Sequence, residues 1–158
     1  MPAVTYPSSM VPGPPQVRVE VPDGWIQVWA PATLLAVRED AAAPDHFLAN
    51  VIVRHHQRLA PFGDGEVLAE LDGHAAQRAQ GVVGPLRRRA VEGRTLVGAE
   101  VGFVDPQAGS VVQLHWFDLS PHGDVVDVLQ LTGSFAGSRR QADESVIDAI
   151  VDSVRVGG

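Results

Sequence analysis

Six histidines, His46, His55, His56, His74, His115 and His122, are the residues best able to do chemistry in this sequence. Adjacent His55 and His56 suggest a metal pair, but neighbours on a strand point to opposite faces, so the two cannot grip one ion. A third ligand would have to come from the remaining histidines, none at a recognised spacing, and the reading is no metal and no other cofactor. His122, inside Pro121-His122-Gly123-Asp124, reads as a solvated turn residue. Ser110, Ser120, Ser134 and Ser138 are the candidate nucleophiles, yet none occupies a Gly-x-Ser-x-Gly elbow, and Ser138 suits a helix cap better. Glu70 and Asp72 diverge on a helix, while Asp124 and Asp127 are expected in solvent at a strand start. Glycines fall singly at turns rather than in phosphate-binding loops, and the chain has no cysteine. The expectation is a protein without catalytic residues, since an enzyme would need histidines and carboxylates to converge in a cleft.

The chain has 158 residues, enough for one domain with a sizeable core. Its formal net charge of −7 disfavours nonspecific binding to nucleic acid or anionic membrane, because phosphate neutralisation needs a basic field. All 12 basic residues are arginine, and the one cluster, Arg87-Arg88-Arg89, is too small to outweigh that acidity. The first residues carry neither a positive n-region nor an apolar run of signal-peptide length, and no segment approaches the ~20 apolar residues of a membrane span. A cytoplasmic protein without membrane insertion is the expectation.

Residues 1–15 hold Pro2, Pro7, Pro12, Pro14 and Pro15 with little periodicity, which predicts an arm rather than a packed element. Residues 16–158 then read as a single α+β domain. Alternation places Val17, Val19 and Val21 on one face of a first strand, which Pro22-Asp23-Gly24 ends, with Trp25 plugging the core. Strands over Leu34–Glu39 and Phe47–Gln57 form a hairpin linked by Ala41–Pro44. A helix is predicted from an Asp64 cap to Gly81, with Leu71, Ala75 and Ala79 on its apolar stripe. Gly84–Val91 and Thr95–Phe103 pair across Glu92-Gly93, and strands Val111–Leu119 and Val125–Thr132 follow. A last helix opens at Ser138, with Gln141 completing a capping box and a stripe of Ala142, Val146, Ala149 and Ile150, before Ser153–Val156 rejoins the sheet.

The order of Val21-Pro22-Asp23-Gly24-Trp25, Asn50-Val51-Ile52-Val53, a mid-chain helix, Gln113 opening an aromatic strand, Leu129-Gln130-Leu131-Thr132 and a terminal helix with Ser153-Val154-Arg155-Val156 resembles the LpqN-type branch of the Mog/PsbP-like fold of actinobacteria. The resemblance covers Gln16 to Val156. It implies a twisted antiparallel sheet flanked by two main helices, in a family of binding, accessory or chaperone-like proteins with no catalytic residue to carry over. The lipobox cysteine of the lipoprotein members is missing here.

If Val112, Leu114 and Trp116 face inward with Val97, Ala99 and Val101, then Gln113, His115 and Phe117 face outward beside Arg94, Leu96 and Glu100 and near Gln130. Helices on one side only would leave that opposite face free to meet another molecule. The expected function is therefore a noncatalytic adapter or chaperone-like module that presents a sheet face or edge to a protein partner, with a homodimer as one form. The alternative is a carrier of a small apolar ligand or lipid, in a pocket lined by Trp25, Trp29 or Trp116.

Overall fold

The computed structural model describes every residue except Ala43 and Gly158, so the expected link Ala41–Pro44 lies partly outside the described residues. Ten strands and two helices follow in order: β1 (Gln16–Arg18), β2 (Trp25–Val28), β3 (Leu35–Glu39), β4 (Asn50–Leu59), α1 (Asp64–Ala76), β5 (Ala79–Val83), β6 (Arg87–Val91), β7 (Arg94–Asp105), β8 (Gly109–His122), β9 (Val125–Ala136), α2 (Arg140–Asp152) and β10 (Arg155–Gly157). Eight strands form one antiparallel sheet in the order β2-β3-β4-β9-β8-β7-β5, with β6 also on β7. This α+β architecture matches the sequence reading, including the β3–β4 hairpin and the β6–β7 hairpin across Glu92-Gly93. Both turn residues there have positive φ, 48° and 74°, the geometry of the two-residue hairpin turn that follows strand twist.

The strands of the sheet's centre are buried on both faces. One core joins Val51, Val53, Leu114, Trp116, Leu131 and Phe135 to Ile147, Ile150 and Val151 of α2. The second joins Val97, Ala99, Val101, Phe117, Val126 and Val128 to Val67, Leu71 and Ala75 of α1. This corrects the expectation of helices on one side. Val97 pairs with Phe117, Ala99 with His115 and Val101 with Gln113, so the expected β7–β8 facing is displaced by one residue. A one-residue slip exchanges faces, and so Leu96 lies with Trp116 in one core while Phe117 lies in the other, all three buried.

Close approach explains how α2 seats. A Cβ on Gly133 would lie 2.3 Å from Ile147 Cγ2, so glycine at this point of β9 lets the helix settle onto the strand. The buried stripe of α2 is Asp143, Ile147, Ile150 and Val151, about one position round from the expected one, and Ala142 and Ala149 are exposed. Ser138 falls in a short 3-10 turn ahead of the helix, without a side-chain capping bond. Arg89 fixes the other end of α2, reaching Asp152 at 2.6 and 2.8 Å and Asp148 at 3.2 Å.

Two further expectations change. Helix α1 stops at Ala76, with Gly63 rather than Asp64 at its N-cap, because Gly81 belongs to β5, packed so tightly against Ala75 that a Cβ would lie 2.0 Å from that carbonyl oxygen. The terminal strand does not rejoin the main sheet. Instead β10 pairs with β1 as a separate two-stranded ribbon, Val17 opposite Val156. No helix among the described residues is long and apolar enough to cross a membrane.

Candidate functional site

The ribbon and the arm together build a cleft of about 620 Å³ over the end of the sheet that α2 leaves open. Pairing sets its floor. Asp118 stands opposite Leu129, which stands opposite His55, and Ser120 stands opposite Asp127, which stands opposite Gln57. Residues opposite one another share a face, so these six side chains project together. Pro7, Pro12, Gly13, Pro14, Pro15 and Gln16 of the arm and Val156 and Gly157 of β10 close the cleft from above.

Charges on the floor answer one another. Arg94 donates to Asp118, a carboxylate that is otherwise buried within an apolar run. Asp127 accepts from Gln57 Nε2 at 2.9 Å and lies 3.3 Å from both His55 Nε2 and His122 Nε2. Histidines and a carboxylate thus converge in a cleft. Ser120 lines the same space, but among the described residues no hydrogen bond joins its hydroxyl to either imidazole, so the pairing of nucleophile and base that hydrolytic triads require is not formed. Among the described residues no three histidine or acidic side chains cluster as metal ligands would.

The six residues expected to share an outward face are divided among four places. Arg94 lies at the cleft. Leu96 and Phe117 lie in opposite cores. Gln113, His115 and Gln130 form a polar chain beneath α1, where Gln113 Oε1 accepts from His74 Nε2 at 2.7 Å and from His115 Nε2 at 3.0 Å. His115 Nδ1 in turn accepts from Gln130 at 3.1 Å and Thr132 at 3.2 Å, so the hydrogen bonds define a neutral imidazole with its proton on Nε2. Burial, then the neighbouring His74, pushes the His115 pKa down to about 3, and burial likewise lowers His74. The network is centred on buried His115 and Thr132, with Gln113, Gln130 and His74 only partly exposed around them.

Nor does any tryptophan line the cleft. Trp116 is buried beneath Arg87 and Arg89, whose guanidinium carbons lie 5.5 and 5.7 Å from the ring centre, Trp25 packs at the edge of the same core, and Trp29 is 86 % exposed beside the free edge of β2. The sequence reading missed Asp118 and Gln57 as site residues. A carboxylate directly after Trp116-Phe117 was the available signal, because a charge in an apolar strand needs a partner.

At the level of sequence, no protein-family model matches this chain, and no curated protein does. Solved structures do match. The crystal structure of LpqN, described as involved in cell envelope biogenesis of Mycobacterium tuberculosis, superposes with a TM-score of 0.71 at 13% identity, over 95% of this chain and 88% of that one. The chain has the LpqN/PsbP-like fold. Cyanobacterial PsbP from Synechocystis superposes with a TM-score of 0.54 at 15% identity, over 91% of this chain and 94% of that one. A Pseudomonas aeruginosa protein of unknown function gives 0.56 at 12% identity, over 89% and 96%. At such identities the LpqN/PsbP likeness concerns the fold, and the cleft residues must speak for themselves.

Proposed function

We propose that this protein is a noncatalytic accessory module that receives a segment of a protein partner in the cleft over Asp118, Ser120 and Asp127. The observation that supports it is the internal pairing of the floor. Arg94 pairs with Asp118, and Asp127 is met by Gln57, His55 and His122, so the floor's polar groups already have partners and leave a surface suited to holding a ligand. A covalent, serine-based site would instead hold its nucleophile hydrogen-bonded to a base. The face first expected to bind is largely occupied by α1, which moves the reading from an open sheet face to this end of the opposite one. A cytoplasmic location is kept as part of the proposal, and fractionation of the native organism tests it.

Photo-crosslinking tests the cleft. Benzoylphenylalanine in place of Ser120 should crosslink a protein partner in cells, whereas the same group at exposed Val82, in the edge strand β5, should not. Equal crosslinking from both positions, or none from Ser120, would count against the proposal.

A carrier of a small ligand is the second reading, favoured by the volume of about 620 Å³, which lies within the roughly 300–1,000 Å³ of small-molecule pockets. Native mass spectrometry of gently purified protein separates the two. A stoichiometric adduct lost in Ser120→Trp supports the carrier.

A further inference from the structure

We propose that the cleft is a receptor for an extended, uncharged, proline-rich segment of a partner protein, and that residues 7–15 of the chain itself, which roof the cleft, cover the same floor as a built-in competitor. This rests on the reading of the cleft as a partner site and names what that partner brings.

The occupant's chemistry is visible in the arm. Pro7, Pro12, Gly13, Pro14 and Pro15 line the cleft, and residues 1–15 contain no charged side chain. A neutral segment suits a floor whose polar groups already have partners, because it covers them without separating Arg94 from Asp118 or the imidazoles from Asp127. Proline suits it further. Its nitrogen carries no hydrogen to satisfy and its φ is fixed in advance, so an extended proline-rich segment loses little entropy on docking, with Leu129 and Val156 offering apolar surface to its rings.

The arm is also held lightly. Its own hydrogen bonds, Ser8 N to Val11 O at 2.9 Å and Val11 N to Ser8 Oγ at 3.0 Å, stay within it. Met1, Val4, Tyr6, Met10 and Val11 are exposed, so its larger apolar side chains contribute little buried surface. What keeps it seated is tethering: attachment at Gln16, where β1 begins, gives the arm a millimolar-range effective concentration over the cleft. A competitor of this kind lowers apparent affinity for an outside segment by the fraction of time the cleft is closed.

The test uses the full chain and a fluorescein-labelled peptide copying residues 5–17, read by anisotropy. Replacing Pro12→Ser, Pro14→Ser and Pro15→Ser together should tighten peptide binding by about tenfold or more over wild type. Adding Ser120→Trp to that variant should abolish binding, and His122→Trp at the exposed rim serves as a second blocking change, with melting temperatures showing that each variant folds. Equal affinity in wild type and the proline variant, or binding that survives both tryptophans, overturns the proposal. Crosslinking from Ser120 that persists unchanged in the proline variant and is not competed by the peptide overturns the proline-rich assignment while leaving the cleft as a partner site. A concentration-dependent dimer of wild type that disappears in the proline variant makes a second copy's arm the occupant, and overturns the assignment to a separate partner.

Discussion

His115 is 3 % exposed, yet it is the middle of a polar chain rather than an orphan, and its hydrogen bonds set its protonation state. Gln113 Oε1 accepts both imidazole N–H groups, which leaves no acceptor for a second proton on His115 except by breaking a bond to Gln130 or Thr132. His115, His74 and His56 are all held neutral in the fold, each first by burial, while the unfolded chain protonates them near 6.5. A histidine whose folded pKa is depressed is a stability debt in acid: below pH 6.5 the unfolded state binds more protons, so unfolding becomes easier as pH falls, down to about 3 for His115. The denaturant midpoint should therefore drop between pH 7.5 and pH 5, with buried His115 contributing up to about 1.4 kcal/mol per pH unit below 6.5 and the partly exposed His74 and His56 less. An unchanged midpoint over that interval would mean that these imidazoles stay hydrated. Gln113→Leu should cost about 1–3 kcal/mol at neutral pH, because the buried His115 N–H and the partly exposed His74 N–H lose their acceptor, and urea titration measures it.

Phe117 shows what changes when side chains are assembled into elements. Placed on an open face, its truncation would leave the melting temperature almost untouched; packed under α1 with Val97, Val126 and Val128, Phe117→Ala should cost about 3–5 kcal/mol. Thermal unfolding decides between the two. On the opposite face, Gly133→Ala drives a methyl into Ile147 Cγ2 and should cost about 1–3 kcal/mol. Its cost should shrink in an Ile147→Ala background, so a double-mutant cycle that proves additive would place the clash elsewhere. These two positions also explain what the sequence disclosed. Hairpins were legible because Glu92-Gly93 and Pro121-His122-Gly123-Asp124 announce turns between β-rich runs. Sidedness was not, because Val111–Asp118 is buried almost without interruption, and a strand covered on both faces carries no alternation to fix which residues look which way. The same ambiguity hid the helix on the second face, since α1 carries only three buried residues and could be assigned to either side. For the cleft, His55, Ser120, His122 and Asp127 were each visible as single candidates, but what unites them is cross-strand register together with an arm that has no periodicity of its own.

Taken whole, the molecule is an antiparallel ladder, β4-β9-β8-β7, wedged between two helices and clasped at one corner by its own chain ends. The clasp is the β1–β10 ribbon, continued by Ser153, whose Oγ accepts from Glu20 N at 2.8 Å and donates to Ile150 O at 2.6 Å. Its three-residue strands pair only with each other, whereas β8 and β9 pair over twelve positions and are buried on both sides. Opening the clasp exposes Val17, Val19 and Val156, which only border the core; opening the ladder exposes Leu114, Phe117, Leu131 and Phe135 at its centre. Hydrogen exchange should therefore be slowest in β8 and β9 and governed there by global unfolding, while residues 16–20 and 155–157 exchange through a cheaper local opening. Ser153→Ala removes both of these side-chain bonds, of which the one to Glu20 N ties down the ribbon and is worth about 1 kcal/mol. It should speed exchange at residues 16–20 by about fivefold while leaving β8 and β9 almost unchanged, because its effect on the local opening exceeds its effect on a global transition that costs many times more. Since the ribbon carries the arm that roofs the cleft, the same substitution should raise exchange of Ser8 and Val11 in step with residues 16–20. Uniform acceleration across ribbon and ladder alike would show that the clasp is part of the global folding unit, and that the cleft cannot open without unfolding the protein.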